Sequence, residues 1–194
     1  MTAVRSAVSE EAVLDTALTL FAERGYHGTA LSQIADVLGI RTPSLYNHMR
    51  SKEDLLRAIV DRTTAAVLED FERVRKEDGD WAAQLARATR VYAFRHATNR
   101  REALVVNRDT DCLGEPHRTR FQERRRRHEH AFRAIITSGV AAGVFQVDSP
   151  ALASFAIREM CVSIARWFRD DGPLTADAVA DEYSRYALQI AGAR

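Results

Sequence analysis

The chain reads as all-α, with about nine helices, on three observations. Only four prolines and nine glycines interrupt 194 residues, so long stretches carry no helix breaker. Within those stretches apolar residues recur at i, i+3, i+4 and i+7, the spacing of one helix face. No segment shows the strict alternation of a half-buried strand, and only Val144 to Val147 is ambiguous.

Each element follows from its pattern. From Glu10 the stripe Leu14, Ala17, Leu18 and Phe21 predicts a helix that Gly25 and Gly28 end. Leu31, Ile34, Ala35 and Leu38 predict a shorter helix closed by Gly39. A third starts at Thr42-Pro43, with Thr42 as cap and Pro43 in the first helical position, and runs to about Met49. Ser51 opens a long helix, Lys52 to Glu77, with Asp54 as a capping-box partner and Leu56, Ile59, Val60, Val67, Phe71 and Val74 inward. The polar run Lys76-Glu77-Asp78-Gly79-Asp80 is the main linker. Trp81, Leu85, Ala88 and Tyr92 begin the next helix, and Glu102 to Asp109 forms a shorter one. Asp109 to Glu115 reads as a loop before a long basic helix that ends near Ala142 at Gly143. Ser149-Pro150 caps a helix reaching about Arg169, and Thr175 caps the last. The division expected is 1–50 and 51–194.

Composition narrows the class of function. The chain is 46% apolar and 28% charged, an ordinary globular balance. The longest largely apolar stretch, Ala134 to Val147, falls short of the roughly 18 residues that span a bilayer. Glu10, Glu11 and Asp15 interrupt any secretory apolar region near the start, so a cytoplasmic location is expected with no membrane partner. Two cysteines, Cys112 and Cys161, do not make a disulfide framework. The net charge of +1 over the whole chain argues against a nucleic-acid partner. Locally it does not: between Thr29 and Lys52 three cations, Arg41, Arg50 and Lys52, face one acid, Asp36.

That stretch contains L-S-Q-I-A-D-V-L-G-I-R-T-P-S-L-Y-N-H-M. A helix-turn-helix needs a small residue where its helices cross, a glycine at the turn and an apolar anchor in the second helix. Ala35, Gly39 and Leu45 meet these demands. Once Leu45 and Met49 turn inward, Arg41, Thr42, Ser44, Tyr46, Asn47 and His48 remain outside. None is acidic, and their hydroxyl, amide and guanidinium groups suit phosphates and base edges.

Residues 21–55, with F-A-x-x-G-Y-x-x-T, I-A, G-I, S-L-Y-x-H and S-K-E-x-L, resemble the DNA-binding domain of the tetracycline-repressor (TetR) family. The resemblance implies an all-helical homodimer that binds a double-stranded operator with its first helices and a small-molecule effector in a larger C-terminal domain. It implies phosphate contacts for Thr29, Tyr46, His48 and Lys52, and base-edge positions for Arg41, Thr42, Pro43, Ser44 and Asn47. The family more often has Phe at Met49 and frequently Gly at Pro43. The segment W-F-R-D-D-G-P-L-T-A-D-A-V-A-D-E-Y, residues 167–183, is similar to the ends of TetR-type repressors of lipid and sterol catabolism in actinobacteria, several of which respond to acyl-coenzyme A thioesters. An acyl-coenzyme A or another hydrophobic effector is therefore the candidate ligand.

The basic helix supplies cations for such a ligand: Arg118, Arg120, Arg124, Arg125, Arg126 and Arg127 outnumber Glu115, Glu123 and Glu129. Consecutive arginines point around a helix, so few can face one pocket. Arg120, Arg124 and Arg127 are candidates for the phosphates, with Trp81, Tyr92, Val106, Phe121 and Trp167 as the apolar lining. His96, His117, His128, His130 and Cys112 lack metal-ligand spacing, and no metal or cofactor is expected. The last two helices present Leu152, Phe155, Ile164 and Phe168 on one, and Val179, Tyr183, Tyr186 and Ile190 on the other, as a dimer face. The function expected is a ligand-responsive transcriptional repressor released from a palindromic operator. An activator of the same fold, or a small helical enzyme using Asp109, Cys112 or His117, stays open as an alternative.

Overall fold

A computed structural model describes residues 8–75 and 80–193. Lys76 to Gly79, the expected linker and the last residues of the expected fourth helix, lie outside them. Among the described residues there are nine α-helices: α1 Glu10–Arg24, α2 Leu31–Leu38, α3 Thr42–Leu45, α4 Lys52–Arg75, α5 Trp81–Thr98, α6 Arg100–Asp109, α7 His117–Ala141, α8 Pro150–Trp167 and α9 Ala176–Ile190. A 3-10 turn, Thr110–Cys112, sits in the expected loop after α6, and residues 144–147 form no strand.

The helix ends show the expected capping chemistry with two differences. Ser9, Ser149 and Thr175 accept from the N–H groups of Ala12, Leu152 and Ala178, and Asp80 caps α5 through Ala83. The Ser51 hydroxyl accepts from the Asp54 N–H at 3.1 Å, but the Asp54 carboxylate reaches the Arg50 N–H, one residue beyond a reciprocal box. The third helix differs from expectation. Arg41 is its N-cap, Thr42 already lies within it, and regular α-helix stops at Leu45. Residues 46–48 continue as tighter turns, with the N–H groups of Asn47 and His48 bonded to the carbonyls of Ser44 and Leu45. The Met49 N–H still reaches Leu45, so its side chain turns back into the core.

Two regions of core are strung along α4. Leu55, Leu56, Ile59 and Val60 belong to a cluster with Phe21, Ile34, Leu45 and Met49, whereas Phe71 and Val74 pack with Leu85, Phe132, Ile136 and Ile157. A third cluster joins α5, α8 and α9 through Ala93, Ala97, Cys161, Ile164, Phe168 and Val179. The first cluster also takes in Val105, Leu113 and Phe121, so the N-terminal helices rest on the second half of the chain through α6 and the start of α7. None of the described helices is long and apolar enough to cross a membrane.

Candidate nucleic-acid interface and effector cavity

The turn between α2 and α3 is built on Gly39, in the left-handed region at φ 65° and ψ 30°. The Ile40 N–H bonds to Ala35 O at 3.0 Å and the Gly39 N–H to Asp36 O, the pattern that closes a helix on a left-handed residue. The fully buried Leu45 then anchors α3 against Ile34 and Ala35. This leaves Arg41, Pro43, Tyr46, Asn47 and Arg50 exposed, with Thr42, Ser44 and His48 half-buried at the edge of the same surface. No carboxylate lies between Arg41 and Arg50.

Two of the residues expected at phosphates are turned inward. Thr29 is 1% exposed, and its hydroxyl lies 2.9 Å from Gly25 O and 3.2 Å from Leu20 O, where it donates. Its side chain closes the loop after α1 rather than facing solvent. The Lys52 ammonium donates to Tyr26 O at 2.8 Å and Thr29 O at 2.9 Å and sits 4.2 Å from the centre of the Tyr26 ring. Lys52 thus staples the start of α4 to the loop between α1 and α2.

In the second half, a cavity of about 70 Å³ opens between α4, α5, α6, α7 and α8. Of the expected lining, Tyr92, Val106, Phe121 and Arg124 are there. Trp81 is not: it packs on the cluster around Phe71 and Phe132. Arg120 and Arg127 are exposed, because the α7 face that turns inward carries Phe121, His128 and Phe132. Trp167 lies on the outer face of α8, 43% exposed and stacked near Tyr183.

The cavity holds residues that the sequence reasoning did not place there. Thr64, Val67 and Leu68 come from α4, His96 from α5, Ala103 and Asn107 from α6, Arg125 and His128 from α7, and Arg158 and Val162 from α8. A signal existed for Arg158: Ser154, Ile157, Arg158 and Cys161 form the i, i+3, i+4, i+7 stripe that α8 buries.

The electrostatics of the closed end are distinctive. Burial and the neighbouring Arg158 hold the His128 imidazole down at about 3, and burial holds His96 at about 4, so both rings are neutral. The His96 Nδ1–H donates to Tyr92 O at 2.8 Å. Burial raises the Tyr92 phenol, with Arg158 and Arg125 opposing that shift. Arg124 is spoken for, 2.6 Å from Asp61 Oδ1. A larger groove of about 420 Å³ lies between α1, α4 and α6, but its charges pair with one another, as in Arg62 with Glu11 and Arg101 with Asp15.

Residues 78–191 match the model of the tetracyclin repressor-like C-terminal domain, and residues 13–59 match that of bacterial regulatory proteins of the tetR family. The chain belongs to the TetR family. The transcriptional repressor KstR2 of Rhodococcus jostii is 29% identical over 178 residues, covering 91% of this chain and 87% of that protein. KstR2 of Mycobacterium tuberculosis is 29% identical over 185 residues, covering 91% of this chain and 89% of that protein. Its structure, that of a ketosteroid transcriptional regulator, superposes with a TM-score of 0.88 over 96% of this chain and 95% of the other, at 23% identity. AibR in complex with isovaleryl coenzyme A and operator DNA shares the fold at a TM-score of 0.82 and 23% identity, over 95% of this chain and 99% of AibR. By both of its matched regions the chain is a regulatory protein. Regulators of this kind bind operator DNA and small-molecule effectors.

On the last two helices the expected dimer face divides. Leu152 and Phe155 are 70% and 57% exposed, and Tyr186 and Ile190 also face outward. Tyr183 is half-buried between the two settings. Ile164, Phe168 and Val179 are instead buried in the chain's own third cluster, since they fall on the faces that α8 and α9 turn to α5. Trp167 joins the outer set in their place.

Proposed function

We propose that the chain acts in the cytoplasm as a homodimer on a palindromic operator, from which a hydrophobic effector, with an acyl-coenzyme A as the reference class, releases it. Residues 1–50 would serve as the DNA-binding domain and 51–194 as the effector and dimerisation domain, joined by α4, whose first half packs into the core of the N-terminal helices. Arg41, Thr42, Pro43, Ser44, Tyr46, Asn47, His48 and Arg50 would form the operator surface. Isovaleryl coenzyme A bound to AibR, which has the same fold, supports the effector class.

The observation that carries this reading is the double use of α6. Its Ala103, Val106 and Asn107 line the cavity, while Arg101 and Arg108 hold α1. Arg101 donates to Thr19 Oγ1 at 2.6 Å and to Asp15 Oδ1 at 2.9 Å, and Arg108 donates to the carbonyls of Phe21 and Ala22 at the end of α1. A ligand that shifts α6 must shift α1 or break these bonds, so two arrangements of the DNA-binding helices differ in ligand affinity.

A mobility-shift assay with the intergenic DNA beside the chain's own gene tests the proposal. Specific, salt-sensitive binding at a palindrome is expected, with Tyr46→Ala plus Asn47→Ala weakening it by roughly ten- to a hundredfold at unchanged melting temperature. Absence of specific binding at any palindrome there, or undiminished binding by the double variant, would sink it.

A further inference from the structure

Arg158 is the feature of the cavity that a purely hydrophobic effector leaves unexplained. It is 5% exposed, its Nε has no hydrogen-bond partner, and the nearest carboxylate oxygen, Glu129 Oε2, is 3.9 Å away. That carboxylate is already engaged by Arg133 at 2.8 Å. A guanidinium buried without a well-placed anion is strongly unfavourable, and such groups are normally paired. The cavity wall offers it the Tyr92 phenol but no anion: three arginines and two histidines line the space, and no Asp or Glu does. Burial orients the cavity. Arg158, His96 and His128 form its closed end, while the exposed Asn107 and Arg125 mark its mouth. Between them lie Val67, Leu68, Ala103, Val106, Phe121 and Val162, an apolar sleeve.

We propose that the effector is an amphipathic carboxylate whose apolar body fills this sleeve and whose carboxylate is held by Arg158 at the closed end. This rests on the reading of the cavity as the effector site and names the chemistry it selects. The neutral histidines fit the assignment, because they add no second charge beside the ion pair. The carboxylate has two sources, a free acid entering head first or the far carboxylate of a dicarboxylic acid joined through its other end to coenzyme A. In both, Arg158 supplies a charge-assisted, two-pronged contact that an alcohol or an unsubstituted acyl chain cannot use.

Titration calorimetry on the full chain tests the assignment with octanoate, octanol, octanoyl-coenzyme A and adipoyl-coenzyme A. Octanoate or adipoyl-coenzyme A is expected to bind at least about tenfold more tightly than octanol or octanoyl-coenzyme A respectively, as one charged hydrogen-bonded contact implies. Arg158→Met should abolish that preference, and Arg158→Lys should keep part of it. The probe comparison on the unaltered chain needs no variant to fold. Equal binding of acid and alcohol, an undiminished preference in Arg158→Met, or binding of neither carboxylate would overturn the proposal. Octanoyl-coenzyme A matching adipoyl-coenzyme A with and without Arg158 would exclude the thioester as the source, and together with octanoate matching octanol it would overturn the proposal. Calorimetry needs no DNA, so failure of operator binding leaves this result standing, and the reverse holds.

Discussion

His96 and His128 sit among apolar and aromatic neighbours, with Tyr92 and Phe71 stacked edge-on to them, and their protonated forms are excluded from the native state. The unfolded chain binds protons on both rings below its ordinary value of 6.5, whereas the folded chain does so only near 4 and 3. Stability is therefore complete above about pH 6.5 and falls as pH drops toward those lower values, by roughly 2 kcal/mol per histidine at about pH 5. A melting temperature followed from pH 7 downward should show this decline, and replacing His96 by Gln and His128 by Leu should flatten it. A profile unchanged by the replacements would refute the linkage. Thr29 and Lys52 carry another lesson. Their residue types suit phosphate contact, and the sequence alone contains nothing to show that backbone carbonyls of the α1–α2 loop take up their donors. Arg158 is the converse case, a charge whose inward position periodicity reveals but whose type argues for the surface.

Helices and their caps were largely legible, because the signals are local. Serine, threonine and aspartate cap where N–H groups need acceptors, and Gly39 takes the one left-handed turn that α2 requires. The rotation of each helix was less so. Arg124 and Arg127 differ by three residues on α7, yet one faces α4 and the other solvent, a choice fixed by where Phe121, His128 and Phe132 find the core. For the same reason Trp167 on α8 faces outward while Ile164 is buried in the third cluster. The 3-10 character after Leu45 reflects the need to return Met49 inward within four residues. Arg108 illustrates a contact between helices. It pairs with the buried Asp109 and covers the last carbonyls of α1, so Arg108→Ala leaves a carboxylate and two acceptors bare. A loss of about 2–4 kcal/mol is expected in urea denaturation, and adding Asp109→Asn should recover part of it. Equal losses in the single and double variants would show that the pair does not act as a unit.

The outer faces of α8 and α9 expose Leu152, Phe155, Trp167, Tyr186 and Ile190 together, more apolar surface than scattered residues would supply. In a two-fold dimer these residues meet their copies, and two operator half-sites about 34–36 Å apart become reachable at once. Phe155→Glu with Tyr186→Glu is expected to give a folded monomer by light scattering, with operator affinity lowered at least about a hundredfold through lost bivalency. A dimer surviving both charges would move the interface elsewhere. The fold class and the recognition stretch were readable because a helical pattern and one compact motif encode them. The partition of apolar residues between core and interface was not, since both demand the same side chains.

The 24 residues of α4 give a consequence in distance. At 1.5 Å per residue the helix is about 36 Å long, and its cavity residues, Thr64 to Leu68, lie near the middle. From Thr64 to Lys52 is then about 18 Å, so a tilt of ~5° about the cavity displaces the clamp at Tyr26 and Thr29 by roughly 1.5 Å. Hydrogen-bonding to a base edge tolerates only a few tenths of an ångström, and in the proposed two-fold dimer the error would double. A molecule no larger than the space beside Arg158 can thus open a mismatch on DNA that its own dimensions would not span.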